Sequence, residues 1–322
     1  MKEFMRTLAV VFKDKFIREP AFQKKYLVHG RCKKPKNGFV FSVDGLIKHG
    51  GLFDQYKGLI SVYASAKAQN ITFYLNYSYL IKLDRYLQPN SYDWRINNND
   101  ICMTKPFTKP IIMFGEYKRP FRLMKRYKGH QVHFYYGYNS VDDVNRKFGT
   151  SYSWGNLYHE LFRPTDYLQK NIDDFKNTIG GEYIAFHLRF MNLLGDNNER
   201  IGNTKRLNDE RKQNLMTACR DAIQKKKAEN GHCNILVASD SNIFLNYIAS
   251  ETKVFIVPGQ AKHIDNANGM DEKDDLKLFM DYYALAGASS VYSIIGENMY
   301  SSAFPEYAAK IGACHFERIY LH

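Results

Sequence analysis

The sequence of 322 residues lacks the features that mark several common classes of protein. No stretch approaches the roughly 18 consecutive apolar residues of a membrane-spanning helix, so we expect none to cross a bilayer. The 5 cysteines are scattered and include no C-x-x-C pair, which argues against a zinc ribbon or a dense disulfide framework. We therefore expect reduced thiols, as in a cytoplasmic protein.

Common nucleotide-binding and hydrolase motifs are missing as well. Neither G-x-G-x-x-G nor G-x-x-x-x-G-K-[ST] occurs, which argues against a nicotinamide dehydrogenase and a P-loop nucleotidase. The sequence has no H-E-x-x-H and no G-x-S-x-G. It also has no D-x-D triplet, the acidic signature by which many metal-dependent glycosyltransferases hold a nucleotide diphosphate. We predict a site without a metal.

Positive charge is abundant but unevenly distributed. The chain has 46 Lys and Arg against 33 Asp and Glu, a net charge of +13. Residues 1–160 contain 27 of the basic and 12 of the acidic residues, whereas residues 161–322 contain 19 and 21. A basic half joined to a nearly neutral half predicts two domains with different partners. We place these domains at residues 1–165 and 166–322.

Strands and helices alternate along the second half. Apolar segments that predict strands lie at residues 183–190, 233–240, 253–257 and 290–295, and segments of helical composition lie at 207–229, 242–249, 276–286 and 301–311. This alternation is typical of a parallel sheet with crossover helices. The first half begins in the same way, with a strand at 38–43, a glycine-rich loop and a helix. The sequence therefore predicts an α/β fold of two Rossmann-like domains.

Polar residues follow these strands at the carboxyl ends, where parallel sheets bind their ligands. His187 and Arg189 end the first strand of the second half, and Asp240 ends the next. An arginine there is well placed to donate two hydrogen bonds to a phosphate. The alternative is that Arg189 pairs with a structural carboxylate and that His187 is a core residue.

Two further segments have the composition of ligand-binding loops. Ser301 and Ser302 precede the last predicted helix, and helix N-termini bind anions, although simple capping is the alternative. With Arg189 on the same sheet edge, the serines predict a diphosphate site. In the first half, Gly50 and Gly51 precede a helix whose first turn carries Asp54 and Gln55. These glycines allow close approach to a ligand or simply make a tight turn.

The same features recur in the fucosyltransferase superfamily, which this sequence resembles. AFHLRF (185–190) is similar to its H-x-R motif, and LVASDSN (236–242) is similar to its (V/A)-T/S-D segment. MYSSAFPEYAAKIG (299–312) resembles its serine-containing helix start, and GGLFDQYKGLISVYASAKAQN (50–70) resembles its opening glycine-rich loop and helix. The sequence departs from the family pattern at Gly51 and Asp54, where several relatives have Arg and Asn, and at Ala303, which separates the serines from Phe304.

The resemblance implies a GT-B type fold, with two Rossmann-like domains facing each other across a cleft. It implies an inverting, metal-independent transfer of fucose from GDP-fucose to a glycan or lipid-linked hydroxyl acceptor. Arg189 would stabilise the departing diphosphate. Independently of the resemblance, since several relatives have Asn there, we expect Asp54 to act as the general base. The donor would be bound by His187, Arg189, Asp240, Ser301, Ser302 and Phe304. Base contacts are expected near residues 257–265.

Two other functions stay open at this point. One is a glycosyltransferase with another nucleotide sugar, and the other is a non-catalytic protein that binds nucleic acid or an anionic glycan. The basic segments 33–36 and 118–128 favour the non-catalytic binding protein. Segment 118–128 interleaves charged residues with Tyr and Phe, as nucleic-acid-binding surfaces can. We expect the transferase, without a nucleic-acid partner. We also expect it in the cytoplasm, where its basic N-terminal half contacts a membrane surface peripherally.

Overall fold

A computed structural model of the chain describes residues 16–17, 19–27, 35–79, 81–105, 107–114, 120–196, 205–231, 233–261 and 272–321. The chain divides into two compact units, one of residues 1–83 with 88–163 and one of residues 84–87 with 164–322. Each unit has its own four-stranded parallel sheet. The predicted α/β fold of two Rossmann-like domains is confirmed.

The described part of the chain contains ten strands and nine α-helices. The strands are β1 (Gly38–Val43), β2 (Phe73–Tyr77), β3 (Leu87–Pro89), β4 (Thr108–Ile112), β5 (Gln131–Tyr135), β6 (Phe162–Pro164), β7 (Tyr183–Leu188), β8 (Asn234–Ser239), β9 (Ser290–Ile295) and β10 (His315–Tyr320). The helices are α1 (Glu19–Lys24), α2 (Leu52–Ala68), α3 (Val141–Phe148), α4 (Trp154–Leu161), α5 (Asp166–Ile179), α6 (Asp209–Glu229), α7 (Asn242–Glu251), α8 (Glu272–Ala286) and α9 (Phe304–Gly312). None of these helices is long and apolar enough to span a bilayer.

The sheet of the first unit has the strand order β2-β1-β5-β4. All six residues of β1 are buried, as expected for a parallel strand in a sheet that is covered on both faces. Helix α2 connects β1 to β2 and packs against β1, α3 and α4. Because α2 has neighbours on several sides, it is buried around most of its circumference. The loop before α2 is therefore fixed at the carboxyl end of β1.

A chain of polar side chains crosses the core of the first unit. The Tyr26 hydroxyl lies 3.0 Å from Nδ1 of His133 and 2.6 Å from the Tyr135 hydroxyl. Tyr135 in turn donates a hydrogen bond of 2.8 Å to Oδ2 of Asp44, just after β1. Burial lowers the pKa of His133 to about 3, so its imidazole is neutral at pH 7.

The sheet of the second unit has the strand order β10-β9-β7-β8. Strand β10 was not predicted from the sequence, because the adjacent Glu317 and Arg318 interrupt its apolar residues, as charged residues often do in edge strands. The strand predicted at 253–257 is wrong, because only Phe255 forms a bridge, with Leu236 of β8. Pro258 lacks the N–H that a longer ladder would need.

Polar caps start the helices of the second unit. The side chains of Thr165, Asn208 and Ser241 each accept the backbone N–H three residues later, at the starts of α5, α6 and α7. Ser241 follows Asp240 directly, so the cap of α7 also fixes the turn in which Asp240 lies.

The cysteines differ from the expectation of reduced thiols. Cys219, Cys233 and Cys314 are free, but Cys102 is disulfide-bonded, so the expectation is wrong for that residue.

Candidate functional site

Arg189 follows the carboxyl end of β7 and forms an ion pair with Asp240, which follows β8. Nη1 of Arg189 lies 3.4 Å from Oδ2 of Asp240, and the two side chains are 14% and 9% exposed. Asp240 also accepts the backbone N–H groups of Phe190 and Met191, both at 2.8 Å. One carboxylate therefore holds both the guanidinium and the turn that follows it, a turn in which Met191 has a φ of 53°.

The charges at this edge depend on burial. Burial raises the pKa of Asp240, while Arg189 and the two backbone N–H groups oppose that rise. Burial and, to a smaller extent, the Arg189 cation lower the pKa of His187 to about 3. His187 is therefore neutral at pH 7, and its ring stacks on Phe304 with the centroids 5.3 Å apart. Nδ1 of His187 has no hydrogen-bond partner among the described residues.

The serine segment lies against the end of β7, as the sequence predicted. The backbone N–H of Tyr300 donates a hydrogen bond of 3.1 Å to the carbonyl of Arg189. The predicted helix start at Ser301 is wrong, because α9 begins at Phe304. Pro305 favours the first helical turn and explains this later start. The serines precede the helix, and Ser302 accepts the Phe304 N–H at 3.1 Å.

The glycine-rich loop of the first unit places its predicted residues around the start of α2. Gln55 is buried, donates through Nε2 to the carbonyl of Gly50 at 2.9 Å, and accepts the Tyr77 hydroxyl at 2.6 Å. Asp54 is 46% exposed and its carboxylate lies 2.6 Å from the Lys57 ammonium. A Cβ on Gly50 would lie 2.7 Å from Oδ2 of Asp54, so a larger residue there would displace the Asp54 carboxylate.

The predicted residues thus form one group in each unit. The group in the second unit contains His187, Arg189, Asp240, Ser301, Ser302 and Phe304, and the group in the first contains Gly50, Gly51, Asp54 and Gln55.

His49, directly before the two glycines, was not among the predicted site residues. Its ring lies between those of Phe41 and Tyr136, with centroids 5.9 and 6.1 Å away. The residue is 4% exposed. Burial lowers its pKa to about 4, although the Ser42 backbone opposes this shift. The sequence carried a signal for His49, because it is a polar residue that lies between an apolar strand and a pair of glycines.

A buried ion pair beneath residues 257–261 was also missed. The side chain of Lys277 is 2% exposed, and its ammonium lies 3.0 Å from Oδ1 of Asp281. The same ammonium donates a hydrogen bond of 2.9 Å to the carbonyl of Val257. Lys and Asp four residues apart in an apolar helix gave a signal for this pair. Residues 262–265, where base contacts were also expected, lie outside the described residues.

The buried histidines predict a loss of stability in acid. The folded pKa values of His49, His133 and His187, about 4, 3 and 3, are below the value of about 6.5 for an unfolded chain. Below pH 6.5 the unfolded state therefore binds more protons, so the free energy of unfolding falls as the pH falls. Each histidine should lower it by about 2 kcal/mol between pH 7.5 and pH 5. Denaturant unfolding at several pH values measures this slope.

A matched pair of variants isolates one histidine. In His49→Gln the free energy of unfolding should fall less steeply with falling pH, by the contribution of one histidine. In His159→Gln, at an exposed position, this pH dependence should be unchanged. An unaltered slope in His49→Gln would contradict the assignment of a neutral, buried imidazole.

Solved structures similar to this chain are fucosyltransferases. NodZ, an α-1,6-fucosyltransferase co-crystallised with GDP, has a TM-score of 0.54 at 15% identity, over 85% of this chain and 92% of its own; its source is Bradyrhizobium. FUT1 of Arabidopsis thaliana, in complex with GDP, has a TM-score of 0.57 at 14% identity, over 99% and 78%. POFUT1 in complex with GDP has a TM-score of 0.52 at 12% identity, over 88% and 99%.

These identities support a common fold and leave the activity to be argued from the site. No protein-family model and no curated protein sequence matches the chain. The chain therefore has the GT-B type α/β fold of these fucosyltransferases.

Proposed function

We propose that the chain is a glycosyltransferase that transfers fucose from GDP-fucose to a hydroxyl group of a glycan, with inversion at the anomeric carbon. The position of Arg189 directly after β7 carries this proposal, because ligands of Rossmann-like sheets bind at the carboxyl ends of the strands. Its ion pair with Asp240 fixes the guanidinium there, and is also the pairing that the alternative, structural interpretation of Arg189 predicts. The fold supports it, since similar structures are fucosyltransferases crystallised with GDP, and NodZ was also soaked with GDP-fucose.

In this proposal the diphosphate is bound at the end of β7. Arg189 donates hydrogen bonds to the β-phosphate and stabilises the negative charge that develops as the diphosphate leaves. The hydroxyl groups of Ser301 and Ser302 bind phosphate oxygens. The neutral His187 adds no second positive charge, and its stack on Phe304 forms a flat wall beside the donor. Asp240 positions Arg189 through their ion pair, and its predicted contact with the donor stays a prediction.

The acceptor side of the proposal lies in the glycine-rich loop. Gly50 and Gly51 let the backbone approach the acceptor, and Gln55 fixes the loop through its bond to the Gly50 carbonyl. Asp54, assigned as the general base from the sequence, stays a prediction. Its half-exposed carboxylate is accessible to a hydroxyl acceptor, but deprotonation would require this acceptor to compete with Lys57 for the carboxylate.

The proposed transfer needs no metal, because Arg189 supplies the positive charge beside the leaving diphosphate. Among the residues that the structure describes, no group of three or more His, Cys, Asp or Glu is placed to hold a metal ion. Turnover measured with and without EDTA tests this part, and loss of activity in EDTA would overturn it.

The partners and location expected from the sequence stay predictions. The acceptor is a glycan or a lipid-linked precursor, nucleic acid is not a partner, and the enzyme is cytoplasmic with peripheral membrane contact. Of the basic segment 33–36, Lys33 and Lys34 lie outside the described residues. Lys36 pairs with Asp100 at 2.8 Å.

Thermal unfolding with nucleotides tests the proposed donor. GDP should raise the unfolding midpoint, and at 100 times its dissociation constant it should stabilise the fold by about 2.7 kcal/mol. The shift should disappear in Arg189→Ala and persist in Arg95→Ala, which removes an exposed arginine of the first unit. Stabilisation by UDP but not by GDP would show that the donor is a UDP-sugar and not GDP-fucose. Stabilisation by neither nucleotide would overturn the proposal.

A further inference from the structure

A cleft lies at the amino edge of the first unit's sheet, away from the glycine-rich loop. It has a volume of about 320 Å³ and is lined by segments 37–39, 70–72 and 126–130. These segments lead into β1, β2 and β5, which run parallel. Gly50 and Gly51 follow the opposite end of β1, whose six residues span roughly 20 Å. We call this cavity the amino-edge cleft.

The amino-edge cleft is basic. Its lining includes Arg126, Lys128 and His130 and no acidic residue. Arg126 and Lys128 form no ion pair with any residue in the described part of the chain. Two more cations lie nearby, because the ammonium groups of Lys109 and Lys125 are 5.1 and 5.9 Å from the ring centre of Tyr127. Close positive charges without counter-ions repel each other, and a bound anion would relieve that repulsion.

The shape and the other lining groups narrow the class of anion. The volume is near the lower end of the range for small-molecule sites, roughly 300–1,000 Å³, so one sugar unit suits it better than a long polymer. Asn37, Asn70 and Thr72 add polar side chains to the wall, and amides and hydroxyls hydrogen-bond sugar hydroxyl groups. A flat membrane surface or a nucleic-acid duplex would not need a concave site of this size.

We propose that the amino-edge cleft binds a phosphorylated saccharide, with its phosphate on Arg126 and Lys128. The polar side chains at positions 37, 70 and 72 contact its sugar. This site is separate from the proposed donor site and does not depend on the proposed transfer activity.

Calorimetric titration with glucose 6-phosphate tests the site, at constant ionic strength and with GDP present to occupy the donor site. We expect one binding site, and no binding of glucose, which lacks the phosphate. The double variant Arg126→Ala/Lys128→Ala should weaken binding about tenfold or more, because charge-assisted hydrogen bonds are lost. The matched control Lys82→Ala/Lys147→Ala removes two exposed lysines of the same unit and should bind like the unchanged protein.

Additional variants and ligands distinguish the amino-edge cleft from the donor site and from a membrane-binding surface. Arg189→Ala should leave glucose 6-phosphate binding unchanged, so a failed donor site does not affect the result. The proposal would be overturned if Arg126→Ala/Lys128→Ala bound glucose 6-phosphate as tightly as the unchanged protein, or if the unchanged protein did not bind it. Inorganic phosphate that binds as tightly as glucose 6-phosphate would overturn the saccharide part. Co-sedimentation with phosphatidylglycerol vesicles through Arg126 and Lys128, without glucose 6-phosphate binding, would assign the surface to a membrane instead.

Discussion

Replacement of Arg189 by alanine should lower the transfer of fucose from GDP-fucose by about 10²–10³-fold. The reason is the loss of a fixed cation beside the leaving diphosphate, and one preorganised donor of this kind contributes roughly 2.7–4 kcal/mol. Arg189→Lys should recover only part of the rate, since lysine keeps the charge but cannot donate two parallel hydrogen bonds to phosphate. Steady-state turnover with GDP-fucose measures both variants.

The turnover of Arg189→Ala can be interpreted only if this variant is folded. Asp240 would keep its hydrogen bonds from Phe190 and Met191, so the turn after β7 should survive. Far-UV circular dichroism and the unfolding midpoint check this, and Arg95→Ala, at an exposed ion pair, is the matched control with normal turnover. Turnover near that of the unchanged protein in a folded Arg189→Ala variant would remove Arg189 from the mechanism.

Asp240→Ala should have the largest effect on stability, with a loss of about 3–5 kcal/mol in the free energy of unfolding. The substitution leaves the Arg189 guanidinium, only 14% exposed, without this carboxylate. It also removes the acceptor for two backbone N–H groups at the turn where Met191 has a positive φ. Transfer should fall with stability, because Asp240 holds Arg189 in place. Denaturant unfolding measures the free energy.

An exposed ion pair gives the comparison. Asp93→Ala breaks the pair of Asp93 with Arg95, whose side chains are 60% and 68% exposed, and should cost about 1 kcal/mol or less. Asp240→Asn keeps a hydrogen-bond acceptor and should fall between the two. Similar losses in Asp240→Ala and Asp93→Ala would show that Asp240 does not support the turn.

Much of the fold was predictable because a parallel sheet covered on both faces needs continuous apolar strands. Strands β7 and β9 are such runs, and both were identified. Strand β10 was not, since the charged pair Glu317 and Arg318 interrupts its apolar residues at the edge of the sheet. The segment 253–257 has the composition of a strand, but a single bridge at Phe255 replaces the ladder.

The position of Arg189 at the end of a strand was predictable, because polar residues follow the apolar run there. The structure places Asp240 and the serine segment against it, and the anion site itself stays a prediction. The burial of the His49 ring was not predictable, because its position between two aromatic residues depends on tertiary packing. The amino-edge cleft was not predictable either, since segments 37–39, 70–72 and 126–130 meet only in the folded sheet.

Incubation of the purified protein with GDP-fucose in EDTA, followed by NMR of the anomeric carbon, tests the proposed transfer most directly. We predict that GDP is released and that fucose appears on water or on an added glycan with the anomeric configuration opposite to that of the donor. Arg189→Ala should release GDP about 10²–10³-fold more slowly, and Arg95→Ala should match the unchanged protein. GDP-fucose that stays intact while a UDP-sugar is consumed, or a product that keeps the donor's configuration, would contradict the proposal.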